Sequence, residues 1–248
     1  MDSQTSFRIR VNTSINEIDA ATWDRLAAVG DGDDAARHNP FVSHGFLSAL
    51  EDSGSAVAET GWLGQHLVLE DDGGTALAAL PCYLKNHSQG EYVFDHGWAD
   101  AFYRAGGEYY PKLQCGVPFT PATGPRFLTG DARNREALTL ALLNGLEQLT
   151  GRLGASSAHI TFMRQAEWHL AREAGLLART DRQFHWFNRG YASFDAFLEA
   201  LSSRKRKNIR KERQTALSVD GIEIEQLTGN ALSEAAWDAF FAFYMDTG

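Results

Sequence analysis

The chain has 248 residues, of which 44% are hydrophobic, 22% charged and 11% aromatic, and its formal net charge at pH 7 is −9. This composition excludes the disordered and collagen-like classes. Its longest apolar runs, such as residues 76–80, are much shorter than the ~20 residues of a membrane helix, and the N-terminus lacks an apolar signal core. We therefore expect a cytoplasmic protein without an integral membrane segment.

The basic residues are unevenly distributed. Seven of the 23 lie in residues 204–213, RKRKNIRKER, together with a single Glu. Such a local reversal of charge attracts an anionic ligand, although the acidic remainder repels polyanions, and we expect no DNA partner. Cys82 and Cys115 are the only cysteines. They require no disulfide framework, lack zinc-ligand spacing and fit small buried hydrophobic residues.

The first part of the chain predicts strands and helices in alternation. Residues 7–11 alternate like a strand, and apolar spacing predicts a helix over residues 15–29. A second helix starts at Ser43 and ends near Gly54. Residues 65–70 and 75–84 are apolar segments joined by Asp-Asp-Gly-Gly, which predicts a hairpin.

Residues 85–128 show no sustained periodicity, and a loop of this length in a compact domain is usually functional. Beyond it we predict a helix over residues 131–149, a strand over 158–163, a helix over 166–177 and a strand over 184–188. These elements complete a mixed α/β domain of residues 1–188.

Residues 189–248 predict a second, smaller unit. Ser193 caps a helix that is expected to run through Ala216. A strand over residues 222–227 follows, and Ser233 starts an amphipathic aromatic helix. Helix, strand and helix alone are too few for a complete α/β domain, so we expect this second domain to be incomplete.

The segment from Lys85 to Trp98 concentrates titratable side chains among aromatic residues that could exclude water. An amine nucleophile needs a base, and Glu, Asp or His serves once its pKa is near neutrality. The alternative is a loop whose polar groups satisfy one another. Under the functional interpretation, the candidate catalytic residues of this segment are Glu91, Asp95 and His96. Its candidate substrate-binding residues are Lys85, His87 and Tyr92.

Two further groups of cations could hold phosphate or carboxylate. Prolines fix an extended path between Lys112 and Arg126; the alternative is an ordinary surface crossing with exposed cations. The basic helix adds the candidates Arg204, Lys205, Lys207, Asn208 and Arg210. It could line a cleft or be a solvated face, and a CoA pyrophosphate, a nucleotide-linked sugar or tRNA would all suit its charges.

Several other chemistries lack their motifs. The sequence contains no GxGxxG after a strand, no GxxxxGK[ST], no HExxH and no GxSxG. The eight histidines are scattered, and we expect no metal site.

Three segments, SHGFLSALEDSG (residues 43–54), PCYLKNHSQGEYVFDHGWADAFYRAGGEYYPK (81–112) and KLQCGVPFTPATGPRFL (112–128), resemble the FemAB-like family of bacterial predicted N-acyltransferases within the GNAT superfamily. SSRKRKNIRKER (202–213) resembles the basic helix that opens the acyltransferase domain in the broader group. The resemblance implies tandem GNAT-type domains, each with a mostly antiparallel sheet flanked by helices, and family members extend past Tyr244. A clear Q/RxxGxG/A pyrophosphate loop is missing from the first unit.

The resemblance also implies transfer of an acyl or aminoacyl group from acyl-CoA or aminoacyl-tRNA to a small-molecule or peptide-like amine, as in peptidoglycan biosynthesis. In this hypothesis Glu91, Asp95 or His96 is the base, and the cations hold anionic parts of the donor or acceptor. Two alternatives remain open: a noncatalytic module that binds an anionic cell-wall precursor, and a tRNA-binding protein.

Overall fold

The computed structural model describes residues 7–28, 39–218, 220–221 and 223–247. The chain divides into two compact units, residues 1–180 and 181–248. The elements of the first unit are β1 (Arg8–Asn12), α1 (Ala20–Ala27), α2 (His44–Asp52), β2 (Leu63–Gly64), β3 (His66–Glu70), β4 (Ala76–Leu80), β5 (Cys82–Lys85), α3 (His96–Arg104), β6 (Lys112–Cys115), α4 (Arg135–Leu153), β7 (Ala158–Ile160) and α5 (Gln165–Glu173).

One sheet of this unit has the strand order β1-β3-β4, and both of its pairings are antiparallel. Its central strand, β3, is buried at every residue. Leu67 and Leu69 pack in the core that α4 covers, whereas Val68 packs with Trp23 of α1 and Leu47 of α2. Because successive side chains of a strand point to opposite faces, the middle of β3, Leu67 to Leu69, is apolar on both sides, and helices cover both faces of this sheet.

The hairpin between β3 and β4 is the one that the sequence predicts. Asp71 Oδ1 accepts hydrogen bonds from the Gly73 amide at 2.9 Å and the Thr75 amide at 2.8 Å. Gly74 has φ of 81°, a conformation that glycine adopts without steric cost. The loop sequence thus fixes the register that places the alternate residues of β3 and β4 in their cores.

The other sheet has the strand order β2-β5-β6-β7, and β6 and β7 run parallel. Cys82, Leu113 and Cys115 of this sheet join the core that packs against Leu142 and Leu146 of α4. The predicted fold class, a mixed and mostly antiparallel α/β arrangement flanked by helices, is confirmed.

The second unit contains α6 (Phe194–Glu199), α7 (Ser203–Ala216) and α8 (Glu234–Thr247). The Ser193 hydroxyl caps α6 as predicted by accepting a hydrogen bond from the Ala196 amide at 3.1 Å. Around α6, the rings of Trp186, Tyr191 and Phe197 lie in contact. The expected domain bounds of 1–188 and 189–248, and the tandem arrangement with an incomplete second domain, remain predictions.

Several predicted elements differ in the structure. The helix predicted over residues 15–29 is a 3-10 turn at 15–17 followed by α1, because Asp19 caps a new start by accepting a hydrogen bond from the Thr22 amide; residue 29 lies outside the described residues. The segment 85–128 contains α3 and β6. Residues 184–188 and 223–227 are not strands, and residue 222 is likewise outside the described part of the chain.

The helix predicted from Ser193 through Ala216 is interrupted between α6 and α7. Arg206 of α7 stabilises this break. Its guanidinium donates hydrogen bonds to the carbonyl oxygens of Leu198 at 3.2 Å, Glu199 at 3.3 Å and Leu201 at 3.2 Å. Glu199 is the last residue of α6 and Leu201 lies beyond it, so these hydrogen bonds tie the turn between the two helices to α7. A single continuous helical wheel over residues 193–216 is therefore wrong.

Candidate functional site

The sheet β2-β5-β6-β7 has one apolar and one polar face. Cys82 and Leu84 alternate along β5 with Tyr83 and Lys85, and Leu113 and Cys115 alternate along β6 with Lys112 and Gln114. The apolar set packs in the core with α4, so the period of two sends the other set to the opposite side. We call this side the polar face; it comprises Tyr83, Lys85, Lys112, Gln114 and His159, the last pairing with Gln114 across β6 and β7.

Residues 86–110, the cover segment, supply the groups that meet this face. Lys112 is fully buried, and its Nζ donates hydrogen bonds to Ser88 Oγ at 2.8 Å, Glu91 Oε2 at 2.8 Å and Asp95 Oδ2 at 2.7 Å. Tyr109 OH also donates to Asp95 Oδ2, at 2.8 Å. Because an ammonium has three N–H donors, all three of Lys112 are satisfied, and the residue is held as a cation between two carboxylates.

The two carboxyl groups differ in acidity. Burial raises the pKa of Glu91, and this effect outweighs the hydrogen bond and charge of Lys112. Burial also acts to raise the pKa of Asp95, but hydrogen bonds from Lys112, Ser88 and Tyr109, with the charge of Lys112, lower it overall. Such a separation of pKa values suits one carboxyl to accept and return a proton while the other stays ionised.

Lys85 lies directly opposite Lys112 across β5 and β6 and is also fully buried. Its Nζ donates a hydrogen bond to the Gln89 carbonyl oxygen at 3.2 Å and lies 3.4 Å from the centroid of the Trp62 ring. Burial lowers the pKa of Lys85 to about 7; the charge of Lys112 acts in the same direction and that of Glu91 opposes it. The site thus contains a lysine whose pKa lies well below that of an exposed lysine.

Buried polar atoms without partners are concentrated here. Six buried side-chain nitrogen or oxygen atoms of the described residues have no hydrogen-bond partner, and Trp168 Nε1 is the one away from this face. The others are Trp62 Nε1, Tyr83 OH, Glu91 Oε1, Asp95 Oδ1 and Gln114 Oε1. Buried polar atoms are nearly always paired in folded proteins, so each of these atoms can accept or donate one more hydrogen bond, with a water molecule or a polar ligand as its partner.

The predicted residues near the cover segment have different environments. His87 is half-buried, and its Nδ1 accepts a hydrogen bond from the Gln89 amide at 3.2 Å. Burial, followed by the charge of Lys85, lowers the pKa of His87. Tyr92 is 53% exposed, with φ of 54°. His96 is exposed at the first position of α3. The structure therefore brings Lys85, Glu91 and Asp95 together and leaves the His96 side chain in solvent.

The two cations predicted to hold an anionic ligand are engaged by the protein itself. Lys112 binds the carboxylates of the cover segment. Arg126 is buried, and its guanidinium donates to the carbonyl oxygens of Thr161 at 2.8 Å, Pro125 at 3.0 Å and Ala122 at 2.8 Å. Burial lowers the pKa of Arg126 to about 10. Arg126 thus fixes the 122–126 loop to Thr161, directly after β7, and its anion-binding role stays a prediction.

The basic helix forms α7 of the second unit. Arg204, Lys205, Lys207 and Asn208 are exposed. Arg210 is exposed too, and its guanidinium lies 3.3 Å from Asp195 Oδ1 of α6. Four of the five predicted residues thus present their polar groups to solvent within this unit.

Sequence reasoning missed Ser88, Trp62 and Tyr109 as members of the site. It also missed His159, whose Nε2 lies 2.9 Å from Ser157 Oγ. Burial lowers the pKa of His159 to about 4, and the charge of Lys112 acts in the same direction. One signal of the polar face itself was available in the sequence. The alternation Lys-Leu-Gln-Cys at residues 112–115 has the two-residue period of a strand with one polar face.

Within residues 7–28, 39–218, 220–221 and 223–247, no cluster of three or more His, Cys, Asp or Glu side chains is positioned to hold a metal ion. Helices in the same described ranges are all too short or too polar to span a membrane.

Comparison with known proteins gives one family and a set of solved structures. A search of curated proteins finds no match. Among solved structures, an aminoglycoside 6′-N-acetyltransferase from Acinetobacter baumannii is 12% identical, with a TM-score of 0.40, over 75% of this chain and 100% of the other. A GCN5-related N-acetyltransferase from Ralstonia eutropha JMP134 is 15% identical, with a TM-score of 0.39, over 73% of this chain and 99% of the other.

The model of the FemAB-like family, described as peptidoglycan biosynthesis/recognition, matches residues 14–248. This range includes the whole polar face, the cover segment and the helices of the second unit. The match extends over almost the full length of the sequence, and the protein therefore belongs to the FemAB-like family.

Proposed function

We propose that this protein is an N-acyltransferase that moves an acyl or aminoacyl group onto an amine, on a small molecule or a peptide-like precursor of the cell wall. The observation that carries the proposal is the pair of buried carboxyl groups held by Lys112, each with one oxygen that lacks a partner, Glu91 Oε1 and Asp95 Oδ1. Family membership supports the link to peptidoglycan.

The chemistry of the pair suits an amine acceptor. An amine reaches the site mainly as an ammonium ion, which donates hydrogen bonds to carboxylate oxygens and must lose a proton before it attacks a carbonyl carbon. Asp95, whose pKa is lowered, remains ionised and can hold the ammonium. Glu91, whose pKa is raised, is the better matched of the two to accept the proton. His96, exposed on α3, is the least suited of the three predicted bases.

Access to these oxygens requires movement of the cover segment away from the sheet, because its own side chains Glu91 and Asp95 are buried. Exposed aromatic side chains of the same segment, Phe94, Trp98 and Phe102, flank the site along the chain. Once a substrate is bound, an apolar surround of this kind would exclude water from the attacking amine. The acyl donor in this proposal is acyl-CoA or aminoacyl-tRNA, and the expected location is the cytoplasm.

The test uses the protein with its full native chain. Release of free CoA thiol would be followed with acetyl-CoA and longer acyl-CoAs in the presence of amine acceptors that include a UDP-linked muramoyl peptide. We expect Glu91→Gln to lower kcat about 100-fold or more, the usual contribution of a general base. The matched control is Glu108→Gln, an exposed acid of the same segment. Equal kcat values for Glu91→Gln and Glu108→Gln would contradict the assignment.

A second candidate function follows from α7. Its exposed cations Arg204, Lys205 and Lys207 favour binding of an anionic cell-wall precursor or tRNA without catalysis. In this case binding weakens steeply with salt for tRNA and less steeply for a small nucleotide. Fluorescence anisotropy of the Lys205→Glu/Lys207→Glu variant at several salt concentrations would detect it, and unchanged affinity would contradict it.

A further inference from the structure

One pocket of the first unit lies outside the polar face and the cover segment, and its volume is about 300 Å³. It is bounded by the end of α1, by residues 125–129 and by the first turns of α4 and α5. We call it the helix-end pocket. None of its lining residues belongs to the polar face or to residues 86–110. A ligand held there is therefore separate from the proposed catalytic groups.

Two threonine hydroxyls of this pocket are available to a ligand. Thr139 is 5% exposed and Thr129 is 9% exposed, and neither hydroxyl has a hydrogen-bond partner among the described residues. Their oxygens are not among the six enclosed atoms without partners, so they remain open to the pocket that both residues line. A threonine inside a helix often donates to the carbonyl four residues back, as Thr150 of the same helix does to Leu146 at 2.7 Å. Thr139 makes no such hydrogen bond and offers its hydroxyl to the pocket.

Two helices present their N-terminal ends to the same pocket. The residues before α4 and α5, Asn134 and Arg164, make no side-chain hydrogen bond to the first turn. The first amides of a helix have no intrahelical acceptor, and the helix dipole adds partial positive charge at this end. Together with the two unpartnered hydroxyls, these helix ends favour a ligand that is rich in hydrogen-bond acceptors and carries negative charge.

The charged side chains of the pocket favour the same sign of ligand. Arg164 is half-buried, and its guanidinium has no hydrogen-bond or ion-pair partner among the described residues. Arg135 adds a second guanidinium at the first position of α4. Of the two acids, Glu167 is already engaged, because its carboxylate accepts hydrogen bonds from three backbone amides at 3.0 Å. Glu136 is exposed. The groups that can still bind a ligand are therefore mainly donors.

We propose that the helix-end pocket binds a small organic anion, a carboxylate or a phosphate monoester with a short apolar body. The hydroxyls of Thr129 and Thr139 and the guanidinium of Arg164 donate to the anionic head. Leu26 and Phe127, which also line the pocket, cover the apolar body. The volume equals that of about ten molecules of liquid water, which limits the ligand to a small molecule. This goes beyond the proposed acyl transfer, because the pocket shares no residue with the catalytic groups.

Isothermal titration calorimetry of the native full chain tests the inference without any turnover, so a failure of the acyltransferase proposal leaves the readout unaffected. The probes are phenyl phosphate and phenylacetate as the two anionic classes, inorganic phosphate as a head without a body, and benzylamine as a cation with a similar body. The variants are Thr139→Val and Arg164→Met. Their matched controls are Thr150→Val, on the same helix, and Arg152→Met, an exposed arginine of α4. Thermal unfolding of each variant verifies that it is folded.

We expect phenyl phosphate or phenylacetate to bind with a Kd below ~1 mM. Thr139→Val and Arg164→Met should each weaken this binding ~10-fold or more, because each removes a hydrogen bond to a charged group. The two control variants and Glu91→Gln should leave the affinity unchanged. The proposal is overturned if neither anion binds, if benzylamine or inorganic phosphate binds as tightly, if Thr139→Val and Thr150→Val have equal affinity, or if Glu91→Gln abolishes binding.

Discussion

Substitution of Lys112 by Met tests whether its cation holds the cover segment on the sheet. Lys112 is fully buried and forms ion pairs with Glu91 at 2.8 Å and Asp95 at 2.7 Å. Met keeps most of the aliphatic stem and removes the charge, so the two carboxyl groups remain buried without a counter-charge. Removing one partner of a buried ion pair costs about 3–5 kcal/mol of folding free energy.

The size of the loss should depend on pH. In the wild type, the lowered pKa of Asp95 adds stability above its unfolded-state pKa, and this stability is lost as the pH falls through the folded-state value. In Lys112→Met we expect the pKa values of both carboxyl groups to lie above their unfolded values. The two raised pKa values then stabilise the variant at a pH below the unfolded-state pKa values, and this stability is lost as the pH rises. The loss of folding free energy relative to the wild type is therefore largest at pH 7 and shrinks toward pH ~4.

Urea denaturation followed by tryptophan fluorescence, at pH 7 and pH 4.5, measures both quantities. Lys207→Met is the control, because Lys207 is exposed and its substitution should change the free energy of unfolding by less than about 0.5 kcal/mol. A loss of less than about 1 kcal/mol in Lys112→Met at pH 7, or the same loss at both pH values, would refute the reasoning.

Lys85→Met should remove a pH dependence of stability. The lowered pKa of Lys85 makes the free energy of unfolding of the wild type rise from pH ~7 toward pH ~10, and urea titrations of the variant should lack this rise. Arg126→Met leaves three carbonyl oxygens without their donor and should cost about 3 kcal/mol, measured by urea denaturation; a loss near zero would contradict the structural role of Arg126. Gly64→Ala places a Cβ 2.3 Å from the Thr13 carbonyl oxygen, a clash with backbone that should lower the thermal midpoint by several degrees. Gly45→Ala, with no atom within 4 Å of its Cβ, should leave that midpoint equal or higher, and similar midpoints for both variants would refute the clash.

The sequence predicts best the elements whose signal is local. The hairpin at residues 71–74 depends on one Asp and two glycines in a row, and the structure has that hairpin. The start of α2 at Ser43 likewise depends on one hydroxyl, which accepts a hydrogen bond from the Phe46 amide at 3.3 Å. In these places a few adjacent residues satisfy the backbone by themselves, so no tertiary context is needed.

The sequence predicts poorly where distant residues decide. The strand β6 has four residues, and their register depends on pairing with β5 and β7 from distant parts of the chain. The end of α6 is likewise fixed from Arg206 in the following helix, which no propensity near residue 200 reveals. The titratable residues of the segment 85–98 could be identified as a group, but the partner that orders them, Lys112, required knowledge of the sheet.

The arrangement of charges on the polar face favours a chemical role over a structural one. Replacing a buried ion pair by apolar residues of similar volume is often neutral or stabilising, so stability alone does not explain two lysines and two acids under one loop. All three donors of Lys112 have acceptors, whereas Glu91 Oε1 and Asp95 Oδ1 have no hydrogen-bond partner among the described residues. In the proposed function the fixed cation of Lys112 orders the two carboxyl groups, and their second oxygens, Glu91 Oε1 and Asp95 Oδ1, are the atoms offered to a substrate.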